Sequence, residues 1–167
     1  MVWQTAIAVP LNIFPCYTKG ECAINPIGIQ AQLTKVSDPF LYDGERLIFN
    51  KILDKSGCFC PDCNCGCSIR YRKKTGEFVL EKCGTYLVNW SVAVGGSRVT
   101  PYIRFALQVN NDIFCAVAFP VSVGLISGSS LVVLKHKDTS VSLINNTKDS
   151  IRLADVAPIA NIVISKI

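Results

Sequence analysis

The residue type in this chain best able to do chemistry is cysteine. Nine are present. Five crowd into residues 57–67, G-C-F-C-P-D-C-N-C-G-C, as Cys58, Cys60, Cys63, Cys65 and Cys67, while Cys16, Cys22, Cys83 and Cys115 are dispersed. Thiols at this density suit either a metal or disulfides. Cys60 and Cys63 have the Cys-x-x-Cys spacing that grips one ion, and Cys65 and Cys67 could complete a four-thiolate site. Zinc folds of that kind, however, separate their ligand pairs by roughly a dozen or more residues wrapped around the metal. Disulfides fit the spacing better. Side chains of a Cys-x-Cys pair in an extended strand lie ~6–7 Å apart on one face, too far to bond each other, so each seeks a partner elsewhere. The cross-link candidates are therefore Cys16, Cys22, Cys58, Cys60, Cys63, Cys65, Cys67 and Cys83, within one chain or between copies. Cys115 fits an apolar strand face and reads as an ordinary buried thiol. An odd count leaves at least one cysteine without an intrachain partner.

Catalytic chemistry has little to work with. The single histidine, His136, sits in Lys135-His136-Lys137, a basic turn where a surface role is the ordinary one. Gly124-Leu125-Ile126-Ser127-Gly128 is not a nucleophile elbow. Gly95-Gly96-Ser97 lacks the lysine and helix of a phosphate loop. Cys60-Pro61-Asp62-Cys63 would need a βαβ setting to act as a redox pair. The carboxylates are scattered. No catalytic residue, no cofactor and no enzymatic activity are expected.

The elements that must carry these cysteines are short strands. Tyr86, Val88, Trp90, Val92 and Val94 alternate with Leu87, Asn89, Ser91 and Ala93, the period of a half-buried strand. Ile103, Phe105, Leu107 and Val109 form a second apolar face, closed by a turn at Asn110-Asn111-Asp112. Cys115, Val117 and Phe119, then Leu131 and Val133, Val141 and Leu143, and Ile151 and Leu153 continue the pattern. Gly95-Gly96-Ser97 and residues 127–130 (S-G-S-S) read as turns between strands. Residues 161–167 are apolar on both faces, as in a central or interface strand. With no sustained helical period, the pattern predicts an all-β antiparallel sandwich or jelly roll.

Residues 1–45 differ. Pro10, Pro15, Pro26 and Pro39 recur in an apolar stretch without lasting period, and proline favours extended or edge backbone. The stretch reads as an extended arm whose Trp3, Ile7, Val9, Leu11, Ile13 and Phe14 need burial, against a neighbouring copy or as an edge strand of its own domain.

Composition bounds the partners. Hydrophobic residues make up 50% of the 167, charged residues only 17%, and mean hydropathy is +0.35, whereas charged residues ordinarily reach ~25%. The most apolar stretch, residues 113–126, is broken by Pro120 and Gly124 and falls short of the ~18 residues of a spanning helix, so membrane insertion is not expected and burial against partners is. The net charge of +5 gathers partly at Arg70, Arg72, Lys73 and Lys74. Without interleaved aromatic platforms this reads as a solvated hairpin end, not a nucleic-acid footprint. The start, MVWQTAIAVP, has no basic region and no small-residue cleavage site, so it is not a secretory signal. Nine cysteines nevertheless exceed what a reducing cytosol favours. The two agree if the protein is made in a cell that later lyses.

The order of motifs supplies a resemblance. Residues 75–80 (TGEFVL), 84–90 (GTYLVNW), 103–110 (IRFALQVN), 126–131 (ISGSSL), 142–147 (SLINNT) and 160–164 (ANIVI) resemble a tumour-necrosis-factor-like (TNF-like) jelly roll. More closely, they are similar to the C-terminal domains of collagen-like glycoproteins on bacterial spore surfaces. The resemblance covers roughly residues 46–167. It implies a ten-stranded jelly roll forming a homotrimer through apolar sheet faces. It also implies deposition on the exosporium or on spore appendages after synthesis in the mother cell without a signal peptide. Two features depart from that family: there is no Gly-X-Y repeat, and the cysteine-rich residues 57–68 interrupt the domain. The expectation is therefore an arm over 1–45 and a jelly roll over 46–167, in a structural subunit. Its trimers would stack into a fibre or layer by arm docking and disulfides, with other spore-coat proteins as further partners. The alternatives are a trimeric ligand- or receptor-binding module with an intrachain cysteine knot, and a metal cluster on Cys60, Cys63, Cys65 and Cys67.

Overall fold

A computed structural model of the chain describes residues 27–56, 69–97, 101–120 and 123–167. Twelve strands, and no helix, lie among the described residues. They form two antiparallel sheets. The first has the order β2 (Phe40–Leu41), β11 (Ile151–Leu153), β6 (Gly84–Ser97), β12 (Ala160–Lys166), β1 (Gly28–Leu33), β3 (Lys51–Ser56), with β9 (Gly124–Leu134) along the opposite edge of β6 from β12. The second has the order β4 (Ile69–Arg72), β5 (Glu77–Leu80), β10 (Thr139–Asn145), β7 (Tyr102–Val109), β8 (Asp112–Pro120). This is the expected all-β jelly roll.

The period-2 pattern explains the sandwich directly. Tyr86, Val88, Trp90, Val92 and Val94 of β6 point inward and are buried, as are Ile103, Phe105 and Leu107 of β7. Each such side chain contributes roughly 1.5–3 kcal/mol when removed from water. Trp90 and Phe105 meet across the two sheets with ring centroids 5.6 Å apart. Phe49, Tyr71 and Phe78 form a second aromatic group, Tyr71 and Phe78 lying 4.6 Å apart. The Tyr71 hydroxyl accepts the Phe49 amide at 2.6 Å. Burial, opposed by that hydrogen bond, pushes the phenol up to about 12.

Three local expectations are revised. Residues 127–130 are not a turn but the middle of β9, because Gly128 lies opposite Trp90 and leaves room for its indole. Gly95-Gly96-Ser97 continues β6 through an irregular pairing with β11. The stretch 1–45 also contains β1 and β2, and Ile29, Ala31, Leu33 and Leu41 are core residues. Pro26 and Pro39 flank β1 rather than interrupt it, so its six residues keep their ladder on both sides. Elsewhere turn chemistry holds: Asn110 and Asn111 take positive φ between β7 and β8, and Lys73 and Lys74 occupy the turn between β4 and β5.

Candidate association surface

Most of the cysteine and arm candidates lie outside the described residues: Trp3, Ile7, Val9, Leu11, Ile13, Phe14, Cys16 and Cys22, then Cys58, Cys60, Cys63, Cys65 and Cys67. Cys83 and Cys115 are described, and both are free thiols. Cys83 is exposed, and its Sγ donates to the Lys135 carbonyl at 3.4 Å. Cys115 is half-buried, 3.0 Å from the Ser130 hydroxyl.

Register places the attachments of the cysteine-bearing segments together. Gly28 pairs with both Ser56 and Ser165, Lys166 pairs with Tyr86, and Gly84 pairs with Leu134. In the other sheet Leu80 pairs with both Ile69 and Thr139. The short links from Leu80 to Gly84 and from Leu134 to Thr139 bring these ends of the two sheets together. Residue 27, where the arm joins, Ser56 and Ile69, which bound the cysteine-rich stretch, and Cys83 therefore share one end of the sandwich. Cys115, the other described cysteine, belongs to the side, where β8 faces β9.

The outer faces of the two sheets differ in kind. On the second sheet Arg46 donates to Glu77 at 3.0 Å, to Gln108 at 3.0 Å and to Asn111 at 2.7 Å. Arg72 and Arg70 pair with Glu77 and Glu81. Burial would raise the Glu77 carboxyl, but the Thr75 hydroxyl and the Arg46 and Arg72 guanidinium groups outweigh it and hold the group below its usual value. The first sheet keeps its charges to its flanks, at Lys51, Asp54 and Lys55 of β3 and Arg152 of β11. The outward positions of β9, β6, β12 and β1 carry no charged residue. Serine and amide side chains fill the middle, with Ser127, Ser91, Asn161 and Gln32 in one row across the strands. Gln30 donates to Asn161 at 3.1 Å.

Large apolar side chains line the β9 margin of this face. Leu125 is 70% exposed, Leu131 56% and Val133 64%, and Ile113 and Phe114 on neighbouring β8 are about half exposed. β8 and β9 each pair on one side only, so both also present unpaired backbone there. A broad uncharged surface rimmed by exposed leucine and valine is what a protein–protein interface requires. The sequence hinted at it through the low charged fraction but did not locate it, since Leu131 and Val133 looked like alternating core positions.

Sheet order and strand pairing define a TNF-like jelly roll, and solved structures of that class match it. The globular domain of zebrafish complement 1qA superposes with a TM-score of 0.56 at 14% identity, covering 84% of this chain and 95% of that one. The Eiger TNF of S. frugiperda superposes with a TM-score of 0.62 at 13% identity, covering 85% and 92%. No protein-family model and no curated protein matches the sequence.

Proposed function

We propose that this chain is a non-catalytic structural subunit of a spore-surface filament or coat layer. Copies associate as jelly-roll trimers, the N-terminal arm docks onto a neighbouring subunit, and cysteines lock the assembly. The observation that carries self-association is the uncharged outward positions of β9, β6, β12 and β1 in the first sheet, with Leu125, Leu131 and Val133 exposed at their margin. Leaving that much apolar surface in water is costly at roughly 25 cal/mol per Å², and a second copy removes the cost. The spore surface comes from the sequence resemblance, and release from a lysed mother cell suits a chain with many cysteines. Cross-linking draws support from Cys83, an exposed free thiol, which shares one end of the sandwich with residue 27, Ser56 and Ile69. An intersubunit disulfide holds copies together against dissociation as well as unfolding.

The test is electron microscopy and non-reducing gels of purified protein. Filaments or sheets, and a covalent ladder that collapses with reductant, are expected. Monomers after boiling in detergent alone would refute covalent locking. Removing residues 1–26, which leaves β1 intact, should give soluble oligomers without higher assembly.

A second reading, a trimeric ligand- or receptor-binding module, draws on the fold shared with the complement 1qA domain and the TNF. Monodisperse trimers in which every disulfide lies within one chain would establish it. Metal content measured under reducing conditions tests the cluster on Cys60, Cys63, Cys65 and Cys67.

A further inference from the structure

The outer face of the second sheet carries an arginine that the fold does not answer. Ile103, Phe105 and Leu107 of β7 point into the core, so Tyr102, Arg104 and Ala106 lie on the outer face by the two-residue period of a strand. Arg46, Arg70 and Arg72 each pair with a carboxylate. The half-buried Arg104 guanidinium makes no ion pair or hydrogen bond among the described residues, and its Nε is buried without a partner. Its centre lies 5.8 Å from the centroid of the Tyr102 ring.

The backbone of this residue is held on both sides. Buried Thr147 accepts the Arg104 amide at 3.0 Å and donates to its carbonyl at 3.1 Å, and the Asn146 amide donates to the same carbonyl at 2.9 Å. Across the ladder to β8, Tyr102, Arg104 and Ala106 pair with Pro120, Ala118 and Ala116, and on the β10 side Ala106 pairs with Ile144. No acidic residue stands at any of these positions. Ala116 and Ala118 are exposed, and their methyl groups rise little above the sheet beside Arg104. An arginine keeps its charge throughout, and a half-buried charge without a partner is costly. Of the unpartnered guanidinium nitrogens only Nε is buried, so the terminal amino groups reach the surface and can be met from outside.

We propose that Arg104 and Tyr102 form a subsite for a small organic acid, a carboxylate carried on an apolar body. A planar carboxylate matches the fork of a guanidinium and neutralises its single charge. A phosphate dianion would keep a surplus charge, since none of the paired positions supplies a second cation. The Tyr102 ring and the methyl groups of Ala116 and Ala118 give the apolar body a surface to lie on. The site belongs to the second sheet, clear of the uncharged positions of β9, β6, β12 and β1, so association through those positions leaves it open. A charge retained at the expense of stability is the usual mark of a functional position.

The test uses the full chain, isotope-labelled for nuclear magnetic resonance. Benzoate is titrated while the Arg104 Nε–H and Ala118 amide signals are followed, with benzamide as the neutral control and inorganic phosphate as the other anion. A saturable shift with benzoate, and none with benzamide or phosphate, is expected. The absence of a saturable response to benzoate would overturn the proposal, as would an equal response to benzamide or phosphate. Arg104→Lys should bind benzoate about tenfold more weakly by the Ala118 signal, because an ammonium lacks the planar fork. Unchanged affinity would place the acid elsewhere and overturn the assignment. Without benzoate, Arg104→Met keeps the apolar stem and removes an uncompensated charge, so its thermal midpoint should equal or exceed that of the parent chain. A lower midpoint would show that the guanidinium serves the fold itself, and the proposal would fall.

Discussion

Gly128 of β9 lies directly opposite Trp90 of β6, and a Cβ added to the glycine would stand 2.5 Å from the indole Cζ2. The indole is rigid and packs on Phe105 of the facing sheet, so it cannot yield. The alternation of small and large side chains between β9 and β6 is therefore part of how the sheets close. Gly128→Ala should destabilise by about 1–3 kcal/mol, the usual cost of overpacking, lowering the thermal midpoint by roughly 2–12 °C. A Trp90→Leu background should suppress much of the added loss, and a double-mutant cycle of thermal melts measures that coupling.

The association surface makes a prediction that is independent of the arm. Leu131→Glu with Val133→Glu places two carboxylates at exposed positions of β9, where they cost the fold little. Buried against another copy they would be uncompensated charges. Sedimentation velocity should show a folded monomer in place of the oligomer, with unchanged circular dichroism.

Tyr71 ties the fold to alkaline pH. Its phenol titrates near 10 in an unfolded chain and at about 12 when folded. The stability held by the buried neutral phenol is thus fully present below pH 10 and is lost as pH rises towards 12. Thermal midpoints should fall across that window. Tyr71→Phe should blunt the fall, yet cost about 1–3 kcal/mol at neutral pH by leaving the Phe49 amide without its acceptor.

Glu77 acts at the opposite extreme. Its carboxyl is held below its usual value of 4.5, so its contribution is present above that pH and disappears as pH falls through the folded value. Glu77→Gln should flatten the acid side of a stability–pH profile. Arg46→Met, which releases Glu77, Gln108 and Asn111 together, should destabilise by about 1–3 kcal/mol at neutral pH. Chemical denaturation at several pH values measures both.

Much of the sandwich was legible because a half-buried strand writes its period into the chain. Tyr86 to Val94, Ile103 to Val109 and the Asn110-Asn111 turn carry their own structure. β3 was not legible, because Ile52 and Leu53 are adjacent and both exposed, so no alternation marks it. β9 was hidden by its Ser-Gly-Ser-Ser centre, where turn-like residues serve as small side chains beneath Trp90.

By itself the sequence determined the fold class, the scarcity of charge and the abundance of cysteine, since these follow from local period and composition. Only the tertiary structure decided where they matter. It put the uncharged positions of β9, β6, β12 and β1 side by side, gathered the attachments of the cysteine-bearing segments at one end, and left the Arg104 guanidinium on the second sheet with no acceptor among the described residues. The physical reason is that strand order is non-local. β1 lies between β12 and β3, residues far apart in the chain, and no period within a strand records which neighbour its edges will find.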